Sequence, residues 1–263
     1  MTRPLLALCL AALLLSCGRS EPPVGAPPAP RVSVAQPTFG DAKPQSWTGR
    51  APASYPVHGI DVSRFQGPID WRLAAESGVS FAFLKATEGG DRVDPMFHEN
   101  WQAAGRAGVP RGAYHFFYYC RPASEQADWF IRNVPRSSGG LPPVLDMEWN
   151  PFSPTCKLRP PPETVRAEAT VFLERLERHY GQRPIIYTTI DFFERNEMWR
   201  LSSYPFWLRS VAAHPAERYG GHPWTFWQYT GTGIVPGVAT LSDINVFRGG
   251  TAEWGAWLAR NAN

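Results

Sequence analysis

The run Val144-Leu145-Asp146-Met147-Glu148-Trp149 holds the most concentrated chemistry in the chain. If it is a strand, successive side chains alternate, so Asp146 and Glu148 share one face while Leu145, Met147 and Trp149 share the other. Two residues along a strand separate the acidic Cβ atoms by about 7 Å. Like charges held that close raise the pKa of one carboxyl, which then keeps its proton near neutral pH. A proton donor beside an anion is the equipment for cleaving an acetal. The same spacing also suits two strand-end acids satisfied by arginines or loop amides, and spacing alone leaves both readings open.

Further polar residues end other apolar runs. His58-Gly59-Ile60-Asp61-Val62-Ser63 brings Asp61 to the end of one strand, and Phe83-Leu84-Lys85-Ala86-Thr87-Glu88-Gly89 brings Lys85 and Glu88 to the end of the next. Singly each has a structural explanation: Asp61 could cap a turn, and Lys85 could pair with Glu88. Asp243 stands at the start of the last strand, which returns to the same end only if that strand runs antiparallel. Tyr114, Tyr118, Trp149, Tyr187, Trp207, Trp227 and Tyr229 gather at these ends too. Flat rings with a polar tip suit the alternating CH and OH faces of sugars. Gln228 lies between Trp227 and Tyr229, so in a strand it faces opposite to both and is the member of that trio expected to read the mouth.

Stepping along the chain, short apolar runs alternate with helical patterns from Val57 onward, which predicts a sheet wrapped by helices. Strands are expected over 57–62, 81–85, 112–118, 143–148 and 185–189, and helices over 70–76, 95–107, 123–133, 163–180 and 192–199. The helix at 163–180 is the clearest, with Val165, Ala169, Leu173, Leu176 and Tyr180 on one stripe and Gly181 then Pro184 to end it. Three more strands, 205–211, 225–229 and 243–247, follow with no helical pattern between them. Eight strands and about five helices predict an α/β fold, an irregular TIM-like barrel of about five β/α units followed by three strands in a β meander with few helices. The C-terminal ends of its parallel strands would surround one mouth.

Composition narrows the class. Of 263 residues 43% are hydrophobic, 13% aromatic and 19% charged, which excludes coiled coil, collagen and a wholly disordered chain. The formal charge of +3 is too small and too evenly spread to argue for a nucleic-acid partner, although a mildly cationic surface favours an anionic polymer such as a cell wall. At the N-terminus, Arg3 followed by the apolar run Pro4 to Leu15 has the layout of a secretory leader, and Leu14-Leu15-Ser16-Cys17 resembles a bacterial lipoprotein processing box. Residues 1–16 are therefore expected to be removed and Cys17 lipidated. Gly18 to Pro56 carries nine prolines and few large apolar residues, so 17–56 is expected to be a loose tether. Residues 57–263 are then expected to form one catalytic domain. Cys120 and Cys156 remain in the exported part and are free to pair in an oxidising compartment. The six histidines show no ligand spacing, so neither metal nor cofactor is expected.

Seven segments in order complete a pattern. Gly59-Ile60-Asp61-Val62-Ser63 with Gln66-Gly67, Phe83 to Gly89, Gly112-Ala113-Tyr114-His115-Phe116, Leu145 to Glu148, Ile186-Tyr187-Thr188, Trp227-Gln228-Tyr229 and Asp243 to Phe247 together resemble glycoside hydrolase family 25, the Chalaropsis-type lysozymes. The resemblance implies an irregular barrel and hydrolysis of the β-1,4 bond between N-acetylmuramic acid and N-acetylglucosamine. It implies Glu148 as general acid/base, Asp61, Asp146 and Asp243 as the other active-site carboxylates, and substrate assistance by the 2-acetamido group oriented by Asp146. Tyr114, Tyr187, Trp207 and Gln228 are expected as substrate contacts, with Lys85 and Glu88 beside them. The expected partners are peptidoglycan strands and, through the lipid, a bacterial membrane, with the outer membrane preferred because residue 18 is glycine and not aspartate. A monomer is expected. The proline-rich insert Asn150 to Pro162 and the arm before Val57 depart from the family pattern. A chitinase-like barrel and a catalytically silent wall-binding lipoprotein are the alternative readings.

Overall fold

The computed structural model describes residues 34–136 and 140–262. The expected leader and Cys17 lie outside the described residues. Among the described residues there are ten strands: β1 (Gly40–Asp41), β2 (His58–Val62), β3 (Val79–Glu88), β4 (Arg92–Val93), β5 (Arg111–Phe116), β6 (Val144–Met147), β7 (Ile185–Thr188), β8 (Phe206–Arg209), β9 (Phe226–Ile234) and β10 (Ser242–Phe247). The helices are α1 (Trp71–Glu76), α2 (Phe97–Arg106), α3 (Ala123–Asn133), α4 (Pro162–Tyr180), α5 (Ile190–Arg195), α6 (Pro215–Arg218) and α7 (Thr251–Asn261). Gly181 ends α4 in the left-handed conformation (φ 70°), a position that glycine occupies without a Cβ penalty.

Strands β2, β3, β5, β6, β7, β8 and β9 pair in parallel in that order. Strand β10 runs antiparallel between β9 and β2 and closes the barrel. The reversal returns Asp243 to the mouth, directly opposite Asp61 in the β10–β2 register. The meander expectation is corrected: β8 and β9 are parallel, joined by a crossover that contains α6, and of the two pairings among β8, β9 and β10 one, β9–β10, is antiparallel. The sequence reading also missed α7, whose Trp254 is fully buried against Phe81 and Phe247 at the barrel floor.

Alternation along the strands builds two apolar layers. Outward-facing Ile60, Ala82, Leu84, Leu145, Met147, Ile186 and Leu208 pack beneath helices, while Phe81, Phe83, Val144, Ile185, Trp207, Phe226 and Phe247 fill the interior. Large rings on β3 need space on its neighbours. Glycines supply it: a Cβ on Gly59 of β2 would lie 2.5 Å from Phe81, and one on Gly112 of β5 would lie 2.8 Å from Phe83. The strand-end carboxylates therefore sit on top of a packed plug.

The tether expectation is corrected for residues 34–56, which lie against the barrel. Strand β1 pairs antiparallel with β9, Trp47 meets Trp227 edge-on at 5.1 Å, and Tyr55 is 2% exposed. Among the described residues no long helix covers β9 and β10, so their outward-facing Trp227 and Tyr229 need cover, and the few aromatics of the arm supply it. Among the described residues no helix is long and apolar enough to cross a membrane.

Candidate active site

All four expected carboxylates meet at the mouth. Asp61 and Asp146 lie one residue before the ends of β2 and β6, Glu148 follows β6, and Asp243 enters β10. Asp146, Glu148 and Asp243 all feel the charge of Asp61, which ties the four into one electrostatic cluster. Burial raises Glu148 to about 7, against the pull of Arg209 and Lys85. Burial followed by repulsion from Glu148 pushes Asp146 well above the usual carboxylate range. Asp243 rises to about 8 through burial and the facing Asp61. Asp61 rises less, to about 6, because hydrogen bonds oppose its burial. Near neutral pH the cluster holds protons that ordinary acids would have released.

Those hydrogen bonds form a converging chain. Asp61 Oδ2 accepts from Gln228 Nε2 at 2.9 Å and from Asn245 Nδ2 at 2.8 Å. The Tyr187 hydroxyl donates to Gln228 Oε1 at 2.9 Å, and Trp207 Nε1 donates to Asn245 Oδ1 at 2.7 Å. Asp61 is thus fixed from two sides by groups that are themselves fixed. Asp146 is the opposite case: it is 6% exposed, and its Oδ1 is buried with no hydrogen-bond partner among the described residues. Such an orphan acceptor costs free energy in the protein alone and marks a place for a donor from outside.

The other expected contacts divide. Tyr114 is partly exposed at the mouth, where its ring meets Trp207 edge-on at 6.4 Å. Tyr187 and Gln228 are largely enclosed and spend their polar ends on each other and on Asp61. Trp207 corrects the expectation of a sugar contact, because it is 2% exposed and stacked on Phe83 at 4.7 Å. It positions Asn245 instead. Lys85 pairs with Glu88 at 2.5 Å, and Glu88 also accepts from Tyr118 at 3.3 Å and faces Arg92. The Lys85 charge still reaches Asp146 and Glu148 and opposes the rise in both.

Two functional residues escaped the sequence reading. Asn245 stands two residues beyond Asp243 and on the same strand face, and Arg209 stands two residues beyond Trp207. Arg209 is the cation that pulls against the raised pKa of Asp61, Glu148 and Asp243. Both were accessible through the alternation that joins Asp146 to Glu148. The expected Cys120–Cys156 disulfide is formed, with Cα atoms 5.8 Å apart, and it ties the insert after β6 to the connection after β5. On the chain-entropy model, closing such a loop stabilises the fold by about 4 kcal/mol.

Comparison with known proteins agrees with this arrangement. Residues 60–238 match the family described as glycosyl hydrolases family 25. The chain belongs to that family. It is 38% identical over 228 residues to the uncharacterized protein YegX of Escherichia coli (strain K12), covering 84% of this chain and 80% of YegX. Lysozyme M1 of Streptomyces globisporus is 37% identical over 208 residues, covering 75% of this chain and 69% of that protein. A family 25 glycosyl hydrolase structure from Bacillus anthracis superimposes with a TM-score of 0.70 at 36% identity, covering 79% of this chain and 95% of the other. Membership makes this family 25 chain a glycoside hydrolase with an irregular closed barrel.

Proposed function

We propose that the protein hydrolyses the β-1,4 bond between N-acetylmuramic acid and N-acetylglucosamine in peptidoglycan. The observation that carries the reading is the buried, partnerless Oδ1 of Asp146 beside Glu148, whose carboxyl is raised to about 7. A 2-acetamido sugar offers an N–H donor that fits this acceptor. The names of relatives such as the Streptomyces globisporus lysozyme and the N,O-diacetylmuramidase of a Chalaropsis species support the substrate class.

In the proposed reaction the acetamido N–H donates to Asp146 and favours its anion, so the proton of the coupled pair resides on Glu148. Glu148 gives that proton to the glycosidic oxygen. The acetamido carbonyl oxygen attacks C1, the C1–O bond breaks, and a cyclic oxazolinium forms with its charge against Asp146. Water then loses a proton to Glu148 and attacks C1 from the opposite side, which returns the acetamido group and retains configuration. Asp61 and Asp243, facing each other across β2 and β10, hold the sugar from the other wall. General acid catalysis of this kind contributes about 10² to 10⁴ in rate.

The leader layout ending at Cys17 supports export and lipid attachment, with the domain held near a bacterial membrane close to its polymer. The full-length protein, purified in detergent and incubated with sacculi, should generate reducing N-acetylmuramic acid ends detectable by mass spectrometry. Glu148→Gln should remove nearly all of them while glycan binding persists. New N-acetylglucosamine ends, or an equally active variant, would overturn the assignment. Cys17→Ala should move the protein from the membrane to the soluble fraction; unchanged fractionation would defeat the anchor.

A further inference from the structure

The insert after β6 builds a second concavity that the hydrolytic steps leave unused. A cavity of about 180 Å³ is lined from the β5 side by Phe117, Tyr118 and Tyr119, and from the β6 side by Trp149, Lys157 and Arg159 among others. It begins at the residue after Glu148, and Tyr119 lies close enough to Asp146 and Glu148 to feel both charges. The Cys120–Cys156 disulfide ties the two walls together. Within the insert, Ser153 Oγ accepts from the backbone N–H of Cys156 at 3.0 Å and of Thr155 at 3.3 Å. The insert is therefore a fixed wall.

Its charged groups are both cations, Lys157 and Arg159. Trp149 Nε1 is buried with no hydrogen-bond partner among the described residues. The Arg159 guanidinium lies 5.0 Å from the centre of the Trp149 ring, and neither Arg159 nor Lys157 has an ion pair among the described residues. An orphan N–H beside two uncompensated cations selects a ligand that accepts hydrogen bonds and carries negative charge. A carboxylate meets both demands. A muramyl unit with its 2-acetamido group against Asp146 carries its peptide through the lactyl ether at the neighbouring C3, so the peptide leaves the sugar close to the Asp146 strand.

We propose that this cavity is a subsite for a carboxylate of the peptidoglycan stem peptide, and that Trp149, Lys157 and Arg159 give the hydrolase a preference for peptide-bearing, non-amidated wall. The inference rests on the muramidase reading and deepens it. The two basic residues bind the peptide and take no part in bond cleavage.

The test compares the full-length protein on untreated sacculi, on sacculi whose stem carboxyls have been amidated with carbodiimide and ammonia, and on peptide-free glycan strands. The wild type should prefer the untreated substrate. Lys157→Glu with Arg159→Glu should lower the ratio of kcat/KM on untreated against amidated wall by about tenfold, mainly through KM. Trp149→Phe keeps an aromatic face, removes the N–H, and should lower the same ratio by a smaller factor. Variants with the wild-type ratio, or a wild type that cuts all three substrates equally well, would overturn the subsite while leaving the muramidase in place. A wild type that releases no muramic acid ends from any substrate would overturn the underlying reading instead.

Discussion

The interior of the barrel has two ends built by one rule with opposite results. At the floor, inward positions of β3, β9 and β10 are Phe81, Phe226 and Phe247, closed by Trp254 of α7. At the mouth, one or two alternations further along the barrel strands, the inward positions become Asp61, Lys85, Asp146, Arg209 and Gln228. The floor gains stability from burying carbon. The mouth gives stability up by burying carboxylates, and gains catalytic proton affinity in exchange. Changes at the two ends should therefore separate activity from stability.

The largest effect is expected from Asp146→Asn. It keeps the shape and removes the anion that faces the developing positive charge, so kcat should fall about 10³-fold, a loss typical of a removed electrostatic stabiliser. Stability should rise or stay constant, because the Asp146 carboxylate is disfavoured where it sits. A variant that loses stability with its activity would erase the contrast between the two ends. At the floor, Phe83→Ala removes a ring packed between Phe81, Trp207 and Phe226 and should cost about 3–5 kcal/mol in denaturant unfolding. Its kcat on the fraction that remains folded should change far less than for Asp146→Asn.

Trp207 lies where the two ends meet, and Trp207→Phe sharpens the comparison. A smaller aromatic ring stays in the interior, and the N–H that holds Asn245 is gone. Activity should drop about tenfold. The pKa assigned to Asp61 should rise in the pH profile, because one of the hydrogen bonds that restrain it loses its support. A purely packing role would leave that profile where it was.

Legibility in the sequence followed the same division. Asp61, Asp146, Glu148 and Asp243 were readable only as a set: singly each had a structural explanation, strand-end positions allowed them to share a mouth, and the ordered resemblance to family 25 singled them out. Trp207 was misplaced because residue type outweighed position: alternation puts it one step below the rim, and puts Arg209 on the rim. The arm was misread because its prolines dominate its composition. Only the exposed backs of β9 and β10 explain why Phe39, Trp47 and Tyr55 suffice to dock it, and that lack of helical cover arises from a strand pairing not visible in local pattern. Trp47→Ala should accordingly lower stability by about 1–3 kcal/mol, well below the floor variants, because the ring is only partly buried.

The smallest effect follows from proton linkage. Glu148, Asp61 and Asp243 titrate at about 7, 6 and 8 in the folded chain, whereas in the unfolded chain they release their protons near ordinary carboxylate values. The folded state thus binds more protons between about pH 4 and pH 8, and the mouth loses stability as pH rises through that window. His58 and His115 act in the opposite sense: burial lowers both to about 4, so stability falls as pH drops below about 6.5. The two trends oppose each other across the acid range. Removing one raised carboxylate should tilt the balance, so Asp243→Asn should stabilise the protein at pH 8 by about 1 kcal/mol, a figure reduced for the partial exposure of Asp243, and change little at pH 4. Activity has its own sign: kcat/KM should fall above about pH 7 as Glu148 loses the proton it must donate. Equal stability of wild type and Asp243→Asn at pH 8, measured by denaturant unfolding, would mean that the facing acids of β2 and β10 are less confined than their register implies.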